Sequence, residues 1–142
     1  MLGSIISSCR HQLGTEEELA HYSEIMKMLQ KRWAGMTPEA KKNMTAVNED
    51  PILREESMNE FLSCWASADS NNDGMLSQEE FVFFSTKHLG NILKRLGWAP
   101  TLTEEDFRQI WKTIHDLNPD DDSGISMEQY GRYHACMKVY IN

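Results

Sequence analysis

Apolar residues recur at spacings of three and four along most of the chain, and this spacing is typical of helices with one buried face. Residues 16–33 carry such a stripe, which consists of Leu19, Tyr22, Ile25, Met26, Leu29 and Trp33. Glutamates begin this segment and basic residues lie near its end, so the charges at both ends suit the helix dipole. The pattern therefore predicts an amphipathic helix over residues 16–33, with Gly35 as its stop.

Two proline-containing dipeptides predict where the next helices begin. Thr-Pro at 37–38 and Asp-Pro at 50–51 each combine a capping side chain with proline at the first helical position. We expect a short helix from residue 38 to about 47 and a long helix over 51–68. A capping box of Ser57 and Glu60 is an alternative start for the long helix. Its expected buried stripe is Phe61, Leu62, Trp65 and Ala68.

The second half of the chain predicts three further helices. Residues 79–96 are rich in aromatic and aliphatic side chains, and Gly97 follows them. Thr101 and Glu104 have the spacing of a capping box for the next helix, and residues 127 to about 139 form the last one. The apolar stripe of the middle helix is Phe107, Ile110, Trp111, Ile114 and Leu117. Strand patterns are nearly absent, so the predicted fold class is all-α.

A polar loop over residues 69–80 separates two of the predicted helices. Oxygen-bearing side chains stand at its first, third, fifth, ninth and twelfth positions, and the seventh residue can offer its backbone carbonyl. Ca²⁺ is a hard cation that takes about six to eight oxygen ligands. Gly74 at the sixth position suits a sharp turn, because glycine accepts a positive φ. The candidate ligands are Asp69, Asn71, Asp73, the carbonyl of Met75, Ser77 through a bridging water, and Glu80.

The residues that flank this loop also fit a metal site. Leu76 at the eighth position and Phe81 after Glu80 are apolar, which a solvated acidic turn between helices does not require. The loop and its flanks resemble the EF-hand family, and the resemblance covers the chain from about residue 58 onward. It implies Ca²⁺ as the bound ion. It also implies helix–loop–helix units that work in pairs, with a short two-stranded link between their loops.

A second loop, over residues 118–129, repeats the first less well. Aligning Ile125 with Leu76 and Tyr130 with Phe81 also aligns the apolar stripes that precede the two loops. Its candidate ligands are Asn118, Asp120, Asp122, the carbonyl of Gly124, Ser126 and Gln129. Asn and Gln replace the usual acids at the first and last positions, and Gly lies one position late. We expect this loop to bind Ca²⁺ weakly or not at all, and to pair with the first through Ile125 beside Leu76.

The two loops lie farther apart in the sequence than in calmodulin-like pairs. The additional residues fall around 87–100, so either the helix that leaves the first loop is longer or an elbow is inserted there. The apolar side chains of this segment could cover the N-terminal helices or form part of a groove for a target. They are Leu89, Ile92, Leu93, Leu96 and Trp98.

Composition and charge restrict the class of protein. The net charge is −8, which argues against a nucleic-acid partner, because such partners require a basic face. No apolar run approaches the length that spans a membrane. The three cysteines are widely spaced and odd in number, so we expect free thiols and a reducing compartment such as the cytoplasm, with Cys64 as a small buried apolar residue. No motif of an enzyme active site is present, and we expect no catalytic activity.

These observations predict a disordered tail over residues 1–14, N-terminal helices over 15–50 and an EF-hand pair over 51–142. The nine methionines either fill the core or line a groove for a partner, and the second interpretation supports a Ca²⁺ sensor, because sensors expose methionine in such grooves. The expected partner is an amphipathic helix or apolar segment of another protein, bound in a Ca²⁺-dependent manner. The alternatives are a Ca²⁺ buffer or structural module that opens little and, less well supported, a regulatory subunit of an enzyme.

Overall fold

The computed structural model describes residues 16–117 and 124–141, and most of these residues are helical. The N-terminal helices are α1 (Glu16–His21), α2 (Ser23–Trp33) and α3 (Pro38–Glu49). They are followed by α4 (Pro51–Ala68), β1 (Met75–Leu76), α5 (Gln78–Leu96), α6 (Glu104–Leu117), β2 (Ile125–Ser126) and α7 (Met127–Ile141). The predicted all-α class is confirmed. The predicted tail over 1–14 lies outside the described residues, as do residues 118–123 of the second acidic loop.

Local capping contacts explain where the N-terminal helices begin. The Thr37 side chain accepts a hydrogen bond from the backbone N–H of Ala40 at 3.1 Å, and Asp50 Oδ1 accepts one from the N–H of Ile52 at 2.9 Å. Each cap is followed by proline in the first turn, as the sequence predicts. Because α4 begins at Pro51, the alternative start at Ser57 is wrong.

The start of α6 differs from the prediction. Thr103 and Asp106 form the reciprocal cap: the N–H of Thr103 donates to Asp106 Oδ2 at 2.9 Å, and the N–H of Asp106 donates to Thr103 Oγ1 at 3.1 Å. The predicted box of Thr101 and Glu104 is therefore wrong. Leu102 and Phe107 both pack into the main core, and they flank the cap as a hydrophobic staple does. The packing of these two side chains in the core favours the later start.

The buried face of α4 also needs one correction. Trp65 and Ala68 are buried and Phe61 is half-buried, as predicted, but Leu62 is exposed and Cys64 is buried in its place. The three predicted residues that do face the core lie at spacings of three and four. Leu62 falls one position off that stripe, about 100° around the helix.

A two-stranded antiparallel sheet joins the two halves of the C-terminal region. Leu76 of β1 lies opposite Ile125 of β2, and Met75 lies opposite Ser126. Leu76 and Ile125 are fully buried. The indole of Trp111 on α6 also donates a hydrogen bond to the Leu76 carbonyl at 2.9 Å. The predicted pairing of Leu76 with Ile125 is confirmed.

The helices form two units, each with its own N-terminal helix packed on it. Helices α4 and α5 form the first unit, and α3 packs against both of them. Helices α6 and α7 form the second unit, where α1 packs on α6 and α2 packs on both. Tyr130 lies between the units, with ring centroids 5.4 Å from Phe84 and 5.6 Å from Phe61. One main core therefore spans both units.

A smaller core explains the additional length between the two loops. Helix α5 is 19 residues long, and its last turns pack against α3. The buried residues of this cluster are Met36, Ala40 and Leu96, with Trp33, Met44, Ile92 and Trp98 packed around them. Of the two alternatives for the additional residues, the longer exit helix is therefore the one observed. Ile92, Leu96 and Trp98 cover N-terminal residues, which is one of the two predicted roles of this segment. Leu93, by contrast, is exposed.

Candidate metal centre

The candidate site is the loop between α4 and α5. Asp69 is the first residue of this loop. Its backbone N–H donates to the Trp65 carbonyl at 3.0 Å, which is the last hydrogen bond at the end of α4. The chain then adopts positive φ at Asn72 (59°) and at Gly74 (80°). Both are residue types that tolerate this conformation. These two positions curl the loop between the helix end and β1.

The aspartates at the first and fifth positions hold this curl together. The buried carboxylate of Asp69 accepts the N–H of Gly74 on Oδ2 at 2.8 Å and the N–H of Asp73 on Oδ1 at 3.2 Å. Asp73 Oδ1 in turn accepts the N–H of Met75 at 2.9 Å. A carboxylate has about four acceptor positions, so both groups retain acceptor capacity beyond these hydrogen bonds.

Glu80 closes the loop from the first turn of α5. Its Oε1 accepts the N–H of Ser77 at 2.9 Å, while Ser77 Oγ accepts the N–H of Glu80 at 3.3 Å, which is a capping box. Its Oε2 accepts the hydroxyl of Ser70 at 2.7 Å and the N–H of Ser70 at 3.1 Å. The last position of the loop is thereby tied to the second.

The protonation of Glu80 follows from these contacts. Partial burial raises the pKa of its carboxyl, but the hydrogen bonds from Ser77 and Ser70 outweigh burial, and the pKa lies below its usual value. Glu80 is therefore ionised at neutral pH. No basic side chain forms an ion pair with Asp69, Asp73 or Glu80 within the described part of the chain. The loop thus carries negative charge that no basic side chain of the described ranges balances by an ion pair.

The donor set of this loop suits a hard cation. All of its candidate ligands offer oxygen, with Asn71 exposed and with Met75 and Ser77 half-buried. Within residues 16–117 and 124–141, no three His, Cys, Asp or Glu side chains are grouped closely enough to hold a metal ion as they lie. Asp69, Asp73 and Glu80 instead accept hydrogen bonds from the loop itself. A metal centre here therefore requires these side chains to turn toward a common point.

The second loop repeats the end of the first. The N–H of Ser126 donates to Gln129 Oε1 at 2.7 Å, and the N–H of Gln129 donates to Ser126 Oγ at 3.1 Å. This reciprocal cap is the same one that Ser77 and Glu80 form. The other predicted ligands on side chains, Asn118, Asp120 and Asp122, lie outside the described residues. The structure thus brings together only the last part of this candidate site.

Gly124 explains why glycine lies one position late in the second loop. It has a φ of 147°, and a Cβ added there would lie 2.3 Å from the carbonyl oxygen of Leu76. The close approach of β1 therefore requires glycine at this position. The displaced glycine serves the strand pairing.

Several residues that shape the site are not among the predicted site residues, although Trp111 belongs to the predicted apolar stripe of α6. Ser70 binds the Glu80 carboxylate, Asn72 takes a positive φ, and Trp111 binds the Leu76 carbonyl. The positive φ at residue 72 has a local signal, because asparagine in a loop often adopts this conformation. The contacts of Ser70 and Trp111 depend on how the loop closes and how α6 packs, and no local pattern indicates them.

The thiols of the described residues are placed for packing. Cys64 and Cys136 are buried and free. Burial raises the pKa of Cys64 and, with the nearby charge of Glu18, raises the pKa of Cys136 to about 11. Neither thiol is ionised at neutral pH, so neither is an activated nucleophile. The prediction of Cys64 as a small buried apolar residue is confirmed.

No model of a protein family matches the chain, and no curated protein or solved structure matches it either. In the described ranges, no helix is long and apolar enough to cross a membrane.

Proposed function

We propose that this protein binds Ca²⁺ through the loop over residues 69–80. The observation that carries the proposal is the closure of this loop by Glu80, which spans from the first turn of α5 back to Ser70. Closure keeps three carboxylates within one short loop, and none of them has an ion-pair partner among the described residues. A bound Ca²⁺ would supply the positive charge that this segment lacks. The ligands in this proposal are Asp69, Asn71, Asp73, the carbonyl of Met75, Ser77 and Glu80.

The arrangement of the two units supports an EF-hand pair as the form of this site. Ser77 with Glu80 and Ser126 with Gln129 form equivalent caps, and each cap is followed by a buried aromatic residue. The strands between them pair antiparallel. These repeated features support two related helix–loop–helix units. We infer one strong site in the first loop and a weak or empty one in the second, because Gln129 is neutral and offers a single oxygen.

A Ca²⁺ sensor and a Ca²⁺ buffer or structural module remain the two candidate roles. The methionine content supports a sensor that opens an apolar surface to a partner. The second role is supported by the N-terminal helices, because α1 and α2 already cover the second unit and Met26 of α2 is fully buried in the main core. A sensor built on this fold must uncover a surface that its own chain occupies.

Calorimetric titration with Ca²⁺ tests the proposed site. Glu80→Gln keeps an oxygen for the Ser77 cap but removes one charge and one ligand oxygen, so affinity should fall at least tenfold. Glu79→Gln is the matched control, because Glu79 is exposed and binds Arg108 at 3.0 Å instead of the loop. The proposal fails if the wild-type protein takes up no Ca²⁺ at millimolar concentration, or if both variants bind alike.

The fluorescence of a hydrophobic dye distinguishes the two roles. A sensor should raise the dye signal when Ca²⁺ is added to chelator-treated protein, because apolar surface becomes accessible. A buffer or structural module should leave the signal unchanged while calorimetry still records binding. The intrinsic emission of Trp65, whose carbonyl accepts the N–H of Asp69, offers an independent report of occupancy.

A further inference from the structure

Helices α1 and α2 form one rod that lies on the second unit. The N–H of Tyr22 donates to the Glu18 carbonyl, and the N–H of Met26 donates to the Tyr22 carbonyl, both at 2.9 Å. These helical hydrogen bonds continue across the junction between the two helices. We call this rod, residues 16–33, the cover helix. Its outer side is exposed and polar, with Glu17, Lys27 and Lys31 among the exposed residues.

The inner side of the cover helix is an apolar stripe. Tyr22, Met26 and Leu29 are fully buried, and Ile25 is nearly so. The ring of Tyr22 meets that of Tyr133 on α7 edge-on, with centroids 5.8 Å apart. An amphipathic helix that binds in the groove of a partner protein has the same features: apolar side chains at helical spacing on the bound face and polar side chains on the exposed face.

Polar contacts fix the orientation of the cover helix on this surface. The carboxylate of Glu18 is buried and forms a two-pronged ion pair with Arg132 of α7, in which the Nε bond measures 2.8 Å. His21 Nε2 lies 2.6 Å from the Thr113 carbonyl on α6, and Arg32 reaches Asp106 at 3.6 Å. Contacts at both ends of the rod set its direction and register.

A single short segment of chain joins the cover helix to the helix that follows it. Helix α3 packs on the other unit, and the short segment between Trp33 and Pro38 is the covalent link between α3 and the cover helix. Trp33, at the end of the cover helix, also packs on the smaller core, with its ring centroid 5.7 Å from that of Trp98. A side chain added at Gly35 would meet its nearest neighbour, Trp98, at an ordinary contact distance of 3.7 Å. The linker at residue 35 can therefore accommodate a side chain without a steric clash.

We propose that α6 and α7 form a helix-binding surface, and that the cover helix is its built-in ligand. The external partner is an amphipathic helix with the same pattern. It carries a carboxylate for Arg132, an aromatic residue four positions later, and aliphatic residues seven, eight and eleven positions after the carboxylate, as Glu18, Tyr22, Ile25, Met26 and Leu29 do. Such a helix competes with the cover helix for the same surface. This inference does not depend on Ca²⁺ in the loop over residues 69–80.

A nicked protein tests the proposal. A protease recognition sequence inserted at Gly35 allows the linker to be cut after the full chain has folded. A fluorescein-labelled peptide of residues 16–33 is then added in chelator, and fluorescence anisotropy records binding. The nicked protein should keep its helical circular dichroism and exchange its fragment for the peptide. The uncut chain should bind the peptide at least tenfold more weakly, because its own helix is tethered at high effective concentration.

Sequence changes in peptide and protein check the predicted contacts. Met26→Glu in the peptide should abolish binding, whereas Lys27→Ala, at the exposed neighbouring position, should leave it within about twofold. Arg132→Gln in the nicked protein should weaken the binding of the wild-type peptide. It should not weaken the binding of a Glu18→Gln peptide further, since the two changes remove the same ion pair. A structural role of Arg132 would weaken both peptides alike.

Three results would overturn the proposal. The nicked protein could lose its helical signal, which would make the cover helix an inseparable part of the core. The fragment could stay bound without exchange over days. The Lys27→Ala peptide could lose as much affinity as the Met26→Glu peptide, which would make the binding nonspecific. Repeating the titration with Ca²⁺ reports any coupling to the loop, and calorimetry of that loop succeeds or fails separately.

Discussion

Glu80 and Gln129 stand at equivalent places and differ by one charge and one oxygen. Each caps its helix by accepting the N–H of the serine three residues earlier. The second oxygen of Glu80 reaches Ser70, and in Gln129 an amide nitrogen takes the place of that oxygen. An amide nitrogen cannot accept a hydrogen bond or ligate a hard cation. One side chain thus accounts for much of the difference proposed between the loops.

Gln129→Glu should therefore strengthen the second loop. The change restores a second oxygen and a negative charge, and it keeps the oxygen that caps Ser126. We expect calorimetry to count a second Ca²⁺ equivalent per chain, or an affinity at the weaker site raised about tenfold. Gln78→Glu is the charge-matched control, because residue 78 lies outside the ligand positions and should add no site. Identical isotherms for wild type and Gln129→Glu would remove the second loop from the proposal.

Gly124 is a residue at which any side chain should disrupt the strand pairing. Gly124→Ala places a Cβ 2.3 Å from the Leu76 carbonyl oxygen in a backbone region that L-residues rarely adopt. We expect a loss of roughly 2–4 kcal/mol in the free energy of unfolding, measured with urea. Gly131→Ala is the control, since a Cβ in that part of α7 meets nothing within 4 Å and should add about 0.5–1 kcal/mol. Equal stabilities of the two variants would contradict this account of the sheet.

At the scale of elements, the sequence predicts what local patterns determine. The starts of α3 and α4 follow from a capping side chain and a proline that are adjacent in the chain. The pairing of Leu76 with Ile125 follows from matching positions in two loops. The docking of the cover helix does not follow in this way, because Glu18 meets Arg132 across 114 positions of sequence. Nothing near Glu18 indicates which of the chain's basic residues it will meet.

The ion pair of Glu18 and Arg132 should contribute measurably to the docking of the cover helix. Glu18 is buried, whereas the side chain of Arg132 is 28% exposed. Glu18→Gln leaves Arg132 without its charged partner, and we expect a loss of about 1–3 kcal/mol in the free energy of unfolding by urea.

Glu24→Gln is the control for this ion pair. Glu24 lies on the same rod, is largely exposed and contacts Lys27 at 3.5 Å, so its loss should cost less than about 0.5 kcal/mol. A cost for Glu18→Gln no larger than that of Glu24→Gln would mean that apolar packing alone holds the cover helix.

At the scale of the whole molecule, two half-buried histidines lie where the units meet. The ring of His88 on α5 stacks on Phe84 at 5.5 Å, and His134 on α7 lies 6.2 Å from Tyr130. Burial lowers the pKa of both, to about 4 for His134, where the charges of Lys138 and His88 act in the same direction. Glu60 on α4 partly opposes the effect at His88. The core therefore holds both rings in their neutral form at neutral pH.

Stability should consequently fall as the pH is lowered from 7.5 to 5.0. The unfolded chain binds protons at its histidines below about pH 6.5, whereas folded His134 stays neutral until about pH 4. Between these two pH values the unfolded state binds more protons, so lowering the pH favours unfolding. The free energy of unfolding stops falling on this account once the pH is below the pKa of folded His134. For His134 alone we expect a loss of roughly 2 kcal/mol between these pH values, measured by urea unfolding in chelator. In His134→Gln the loss should shrink by about that amount, and adding His88→Gln should reduce it further. A double variant that keeps the wild-type slope would show that the pH dependence arises outside the contact between the two units.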